Sequence, residues 1–268
     1  MLTIDEHITF EELPFHLGLL SDSVVFISSD LKEIAYQAKQ EKKNIDINLF
    51  IKNLQLTVKD GTIVIPAYTD YLKDGDTFDY TKSKPSTGAI SNRVIKNKDF
   101  TRTKDPLHSV LIWGRDRDEI MALHDNSTFG ENSIYGYLHQ KNCIFIFIDV
   151  HIINSFTFIH FVEEQLKVPY RKYRNLKINV VEGQDSSIQH VLFHTKKWGV
   201  LNNFDLLNER LLQNKRMTRY TYRGIFIDTV LAQDAYTEVK HCIQRKEYLY
   251  NFSWKEYVKS FIKKILGK

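Results

Sequence analysis

The sequence predicts an α/β fold: a central mixed sheet with helices on both faces, plus a C-terminal hairpin and helices. Three observations carry this. Short apolar runs rich in β-branched and aromatic residues alternate with segments of helical spacing. The runs are continuously apolar, which suits strands covered on both faces. No repeat, low-complexity segment or Pro/Gly/Ser linker divides the 268 residues, so residues 1–268 read as one domain.

The first expected strand is "SVVFIS" (residues 23–28). "GTIVIPAY" (61–68), "SVLIWG" (109–114) and "CIFIFIDV" (143–150) follow. Between the first two, "DLKEIAYQAKQEK" (30–42) and "INLFIKNLQLTV" (47–58) repeat apolar residues at three- and four-residue intervals, as a one-sided helix does. "NVVEGQDSSIQHVLF" (179–193) predicts a hairpin turning around residues 182–187. "FIDTVLAQDAYTEVKHCIQRKEYLY" (226–250) reads as a helix capped by Asp228. "SWKEYVKSFIKKILG" (253–267) predicts an amphipathic helix, capped by Ser253 with Glu256 completing a capping box. Trp254, Tyr257, Val258, Phe261, Ile262 and Leu266 share its apolar face, opposite Lys255, Lys259 and Lys263. That face is expected to dock on the body, with partner or membrane-surface binding as the other reading.

Composition narrows the class. Hydrophobic residues make up 43% and charged residues 26%, which excludes disordered and collagenous chains. Cys143 and Cys242 lie far apart with no metal-ligand spacing and are expected as buried thiols in a reducing compartment. The N-terminus lacks the pattern of a signal peptide, and the longest apolar run is too short for a membrane span. The expected location is therefore cytoplasmic. The net charge of +4 is uneven: residues 239–268 hold eight Lys/Arg and two Glu, leaving the remainder at −2. A nucleic-acid partner does not follow from so local an excess.

Four segments could carry chemistry. In "SFTFIHFVEE" (155–164), a helix would place Glu163 three and Glu164 four residues after His160, with Thr157 three before it. A carboxylate beside an imidazole fixes its tautomer and raises its basicity, as a general base requires. The same spacing fits an ordinary hydrogen-bonded helix histidine. In "RTKDPLHSVLIWG" (102–114), a turn at Asp105-Pro106 puts His108 and Ser109 at a strand mouth, where α/β sheets hold ligands. "KPSTGAISNR" (84–93) contains a turn, Pro85 to Gly88, that exposes backbone N–H groups before a helix. It is no P-loop, since no Gly-Lys-Ser/Thr follows. Finally, "KVPYRKYRNLK" (167–177) carries five cations and no acid, and "RVIKNKDFTRTK" (93–104) is also cation-rich. Such runs suit a solvated face or an anionic ligand.

In their order along the chain these pieces resemble the aminoglycoside 3-N-acetyltransferase family, acetyl-CoA-dependent enzymes distinct from the common GNAT type. The segments that match are "VVFISSDL", "GTIVIPAYT", "KPSTGAISNRV", "RTKDPLHSVLIWG", "FGENSIYGYL", "IFIFIDV" and "TFIHFVEE". His108, Ser109, Thr157, His160 and Glu163 fit the family pattern. Four positions depart from it: Ile27 and Asp105 stand where a histidine is common, Asp149 where a glycine ends the strand, and Phe156 where an asparagine precedes the threonine.

The resemblance implies a single acetyltransferase domain in which an amine attacks the acetyl thioester directly. His160 would be the base, Glu163 its orienting partner, and His108 a ligand to the acceptor or a second proton carrier. Ser109, by its hydroxyl or nearby N–H groups, would stabilise the oxyanion. For acetyl-CoA the resemblance points to Ser28, Ser29, Pro85, Ser86, Thr87 and Gly88, with Arg102 as a phosphate partner. Tyr68, Asp105 and Thr157 would touch the acceptor. No metal is implied. The basic runs favour a nucleotide-linked (dTDP- or UDP-) amino sugar of surface polysaccharide synthesis. An aminoglycoside antibiotic is the alternative acceptor, and a non-catalytic binding module with a basic tail is the alternative class. No nucleic acid or integral membrane segment is expected, and homo-oligomerisation stays open.

Overall fold

The computed structural model describes residues 1–265. Its first third contains β1 (Leu2–Thr3), a 3-10 segment (Phe10–His16), β2 (Val24–Ser29), α1 (Lys32–Gln40), α2 (Ile47–Thr57), β3 (Thr62–Pro66) and β4 (Thr77–Asp79). The middle holds α3 (Ala89–Val94), β5 (Thr101–Arg102), β6 (Val110–Gly114), α4 (Arg117–Met121), α5 (Ile134–Gln140), β7 (Ile144–Ile148) and α6 (Phe158–Gln165). Then come β8 (Arg171–Glu182), β9 (Asp185–Lys196), β10 (Val200–Asn202) and α7 (Asp205–Gln213). The chain ends with β11 (Met217–Tyr222), β12 (Ile225–Leu231), α8 (Ala232–Gln244), β13 (Tyr250–Phe252) and α9 (Trp254–Ile265).

Eight strands form one mixed sheet in the order β1-β11-β12-β7-β2-β3-β6-β5. Its centre, β7-β2-β3, is parallel, and antiparallel β12 and β6 flank it. Successive side chains alternate between two cores, as the period of a strand requires. Val24 and Phe26 join Val64, Phe145 and Phe147 on one face, under residues of α5, α6, α7 and α8. Val25 and Ile27 join Ile63, Ile65, Ile146 and Ile148 on the other, under the 3-10 segment, α1, α2 and α3. Coverage of both faces explains why these strands are apolar throughout. Asp46 caps α2 by accepting from the backbone N–H groups of Asn48 and Leu49.

A second sheet, β4-β8-β9, stands beside the first around Phe78, Leu107, Leu176, Ile178 and Val191. It contains the predicted hairpin, which runs from Arg171 to Lys196. The reading of residues 226–250 as one helix is corrected. Residues up to Leu231 form β12, and α8 follows with no intervening loop. Asp228 is no cap, because its carboxylate accepts two 2.7 Å hydrogen bonds from Arg219 across the β11–β12 ladder. Both cysteines are buried free thiols, as expected. The apolar face of α9 is not docked: Trp254, Val258, Phe261, Ile262 and Ile265 are exposed. Leu266 lies outside the described residues.

Candidate active site

Five of the seven residues expected to hold acetyl-CoA line one cavity of about 610 Å³: Ser28, Ser29, Ser86, Thr87 and Gly88. It opens at the carboxyl ends of the parallel strands β7, β2 and β3, where open α/β sheets bind ligands. Tyr68 and Thr157 also line it. Small side chains dominate this stretch of wall, which suits a long, narrow thioester carrier. Gly88 has φ 97°, a conformation that favours glycine, and a Cβ there would meet the Ser29 carbonyl at 3.5 Å. Thr87 Oγ1 donates to the Pro66 carbonyl at 2.7 Å and Ser86 Oγ to Asp70 at 2.8 Å, fixing the turn against β3.

The other two do not reach the cavity. Pro85 is buried and does not line it. Arg102 is 5% exposed, and its guanidinium donates to Ser109 Oγ and to the carbonyls of Tyr80, Ser83 and Ala67. A side chain whose donors are bound inside the protein is not free for a phosphate, so the expectation for Arg102 is corrected. Ser109 is corrected in part. Its hydroxyl donates to the Ala67 carbonyl at 2.7 Å and accepts from Arg102, so its proton is not available to an oxyanion.

Thr157 connects the cavity to α6. Its side chain lies beside Tyr68 and Tyr135, and Tyr135 donates to Tyr68 at 2.6 Å. One turn further on, His160 Nδ1 lies 2.7 Å from Glu163 Oε2, so Glu163 and not Glu164 faces the imidazole. Two residues where the chain enters β8, Tyr170 just before the strand and Arg171 as its first residue, complete the group. Tyr170 donates to Glu163 Oε1 at 2.9 Å, and Arg171 Nη1 lies 3.1 Å from Glu163 Oε2. The same nitrogen is 3.1 Å from His160 Nδ1. Glu163 can accept from both, whereas Arg171 carries only protons. The network therefore assigns the Nδ1–H tautomer to His160 and leaves the Nε2 lone pair free.

Burial and then the nearby Arg171 charge hold the His160 pKa below its ordinary value, against the pull of Glu163. Burial raises the Glu163 pKa, but His160, Arg171 and the Tyr170 hydrogen bond outweigh it and the net shift is downward. A neutral imidazole beside a permanent carboxylate results, with Arg171 shielding the pair. Neither Tyr170 nor Arg171 stood out in the sequence, where "VPYRKYR" read as a charged run. The only hint was its position directly after the His160 helix.

His108 is buried among Tyr68, Phe129, Tyr135 and Phe193, with ring centroids 4.7–6.3 Å away. Burial pushes its pKa down to about 3, so it is neutral, and its Nδ1 has no hydrogen-bond partner. Asp105 accepts from the Leu107 and His108 N–H groups at 2.7 and 2.8 Å, which shapes the turn before His108. It lines a separate cavity of about 230 Å³ with Asp125 and Ser127.

The departures from the family pattern also find places. Asp149 has φ 51°, the left-handed conformation that a glycine at this strand end would adopt freely. Ile27 is buried in the core facing α1 and α2. Phe156 packs on Phe145 and Phe147, both at 4.9 Å, so it belongs to the core and does not shape an acceptor surface. Among the described residues, no group of three or more His, Cys, Asp or Glu could hold a metal, and no helix is long and apolar enough to cross a membrane.

Residues 26–244 match the family model described as aminoglycoside 3-N-acetyltransferase. No curated protein matches the chain. Among solved structures, AAC-IIIb in binary complex with CoASH is similar at TM-score 0.73 and 14% identity, covering 89% of this chain and 97% of that one. A variant of aminoglycoside acetyltransferase AAC(3)-IVa in complex with a gentamicin gives 0.70 and 18%, covering 90% of each. The YokD protein from Bacillus subtilis gives 0.70 and 18%, covering 87% of this chain and 96% of that one. At these identities the likeness is one of fold.

Proposed function

The chain belongs to the aminoglycoside 3-N-acetyltransferase family, and from that premise we propose that it acetylates a primary amine of a cationic, aminoglycoside-class amino sugar, with His160 as the base. It is an acetyl-CoA-dependent N-acetyltransferase; the acceptor, the residue roles and the extent of the single domain, 1–268, are the proposed part. The observation that carries the base role is the 2.7 Å pair of His160 and Glu163, one helical turn from the wall of the carrier cavity.

The acceptor nitrogen attacks the thioester carbonyl, a C–N bond forms, and the C–S bond breaks to release CoA. The amine must lose one proton. His160 Nε2 takes it, while Glu163 holds Nδ1–H and stabilises the imidazolium. Removal of a general base typically costs ~10²–10⁴-fold in rate. Buried Cys143 and Cys242, both with thiol pKa values raised by burial, are poor nucleophiles, which favours direct transfer.

The case for a nucleotide-linked acceptor weakens because three of its cations have other partners. Arg102 is bound internally, Arg171 pairs with Glu163, and Lys104 pairs with Glu182 at 2.6 Å. Asp70 on the carrier cavity, and Asp105 and Asp125 on its neighbour, suit a polycation better, while Asp30 pairs with Lys32 on the same wall at 2.9 Å. Such chemistry takes place where acetyl-CoA is supplied, in the cytoplasm. CoA release measured with gentamicin-type drugs and with dTDP- or UDP-amino sugars tests the choice. Higher kcat/KM for the drugs is expected; higher kcat/KM for the nucleotide-linked sugars would overturn it.

A further inference from the structure

We propose that α9, with the aromatic ground at its root, is a docking surface for an anionic lipid bilayer. Trp254, Tyr257, Val258, Phe261, Ile262 and Ile265 recur at three- and four-residue intervals and so share one side of the helix. An amphipathic helix ordinarily buries that side. Here Trp254 is 72% and Ile265 67% exposed, and Val258, Phe261 and Ile262 are about half exposed.

Among the described residues, the contacts that tie the helix to the body lie at its start. The Ser253 N–H donates to the Gly199 carbonyl at 2.7 Å, and the Tyr257 ring lies 6.3 Å from Trp198 and 6.0 Å from Phe252. Gly199 permits this approach: a Cβ there would come within 2.6 Å of the Phe252 ring. Beyond this root the apolar side faces solvent.

Charge selects the occupant. Residues 254–265 hold four lysines and one glutamate. The adjoining groove, about 560 Å³, adds Lys172 and Lys197 to Tyr170, Trp198, Tyr250, Phe252 and Tyr257. A second copy laid on this face would bring two cationic helices together. An anionic bilayer supplies the opposite charge, an apolar layer for the aliphatic side chains, and an interface that tryptophan and tyrosine favour.

Flotation of the full chain with vesicles tests this, one set of phosphatidylglycerol and phosphatidylcholine in equal parts and the other of phosphatidylcholine alone. At least about tenfold enrichment on the anionic vesicles is expected, declining as salt is raised. Phe261→Glu combined with Ile262→Glu should abolish binding with CoA release unchanged. Lys255→Ala, Lys259→Ala and Lys263→Ala together should remove the preference for anionic lipid while leaving the apolar side intact. Equal partition to both vesicle types, or full binding by the glutamate variant, would overturn the proposal. So would a native dimer that the glutamate variant splits, since the occupant would then be a second copy.

Discussion

Glu163 and Glu164 are neighbours on α6, and their carboxyl groups are held in opposite directions. Glu163 meets His160, Arg171 and Tyr170, and its pKa falls below the ordinary value despite burial. Glu164 turns to the other side, accepting from Ser127 Oγ at 2.7 Å, and burial raises its pKa. Each glutamate has a histidine near it. His194 Nδ1 is 3.8 Å from Glu164, too far for a hydrogen bond, and has no partner, whereas His160 Nδ1 is 2.7 Å from Glu163. The His194 pKa is pushed down to about 4 by burial and Arg171, so no proton binds there near neutrality. Two His–Glu pairs lie on either side of Arg171, and only one has the geometry of an oriented base. The nature of the partner and its distance separate them; residue type does not.

Substitutions can break this contrast, and His160→Ala has the largest expected effect. It should lower kcat by ~10²–10⁴-fold while calorimetry shows acetyl-CoA binding unchanged. A loss below about tenfold would remove His160 from the base role.

Arg171→Met comes next. It leaves the Glu163 carboxylate buried without its counter-ion, and denaturant unfolding should show a loss of about 3–5 kcal/mol. The pH profile gives a separate readout. Activity needs neutral His160, so kcat/KM falls as pH drops through the His160 pKa, which in the wild type lies below its ordinary value. Removing the Arg171 charge raises that pKa, so the acid limb should move to higher pH. An unmoved limb would mean that Arg171 does not control the base.

Tyr170→Phe removes one hydrogen bond to Glu163, worth about 1 kcal/mol, and should slow kcat roughly fivefold. Glu164→Gln should have the smallest effect, within about threefold in kcat, because a glutamine oxygen can still accept from Ser127.

The core strands were legible because runs such as "CIFIFIDV" are apolar on both faces, and the structure covers both faces. β12 was missed because Leu231 passes directly into α8, so no turn residue marks the change of period. The serines and glycine singled out in the sequence, Ser28, Ser29, Ser86 and Gly88, line one cavity, because two turns meet at the ends of β2 and β3. Arg102 was misread because charge in a sequence does not say which way a guanidinium points. It points inward, to three carbonyls on two separate segments and to Ser109. The choice between Glu163 and Glu164 was beyond the sequence for a similar reason. Three- and four-residue spacings fit the same helix face equally well. Tyr170, just before β8, and Arg171, its first residue, decide it.

The most direct test of the central claim is a side-by-side measurement of kcat at saturating acetyl-CoA and aminoglycoside for Glu163→Gln and Glu164→Gln. Glu163→Gln should be at least about tenfold slower than Glu164→Gln, a difference of about 1.4 kcal/mol in transition-state stabilisation. Equal losses, or a greater loss for Glu164→Gln, would contradict Glu163 as the residue that orients the base.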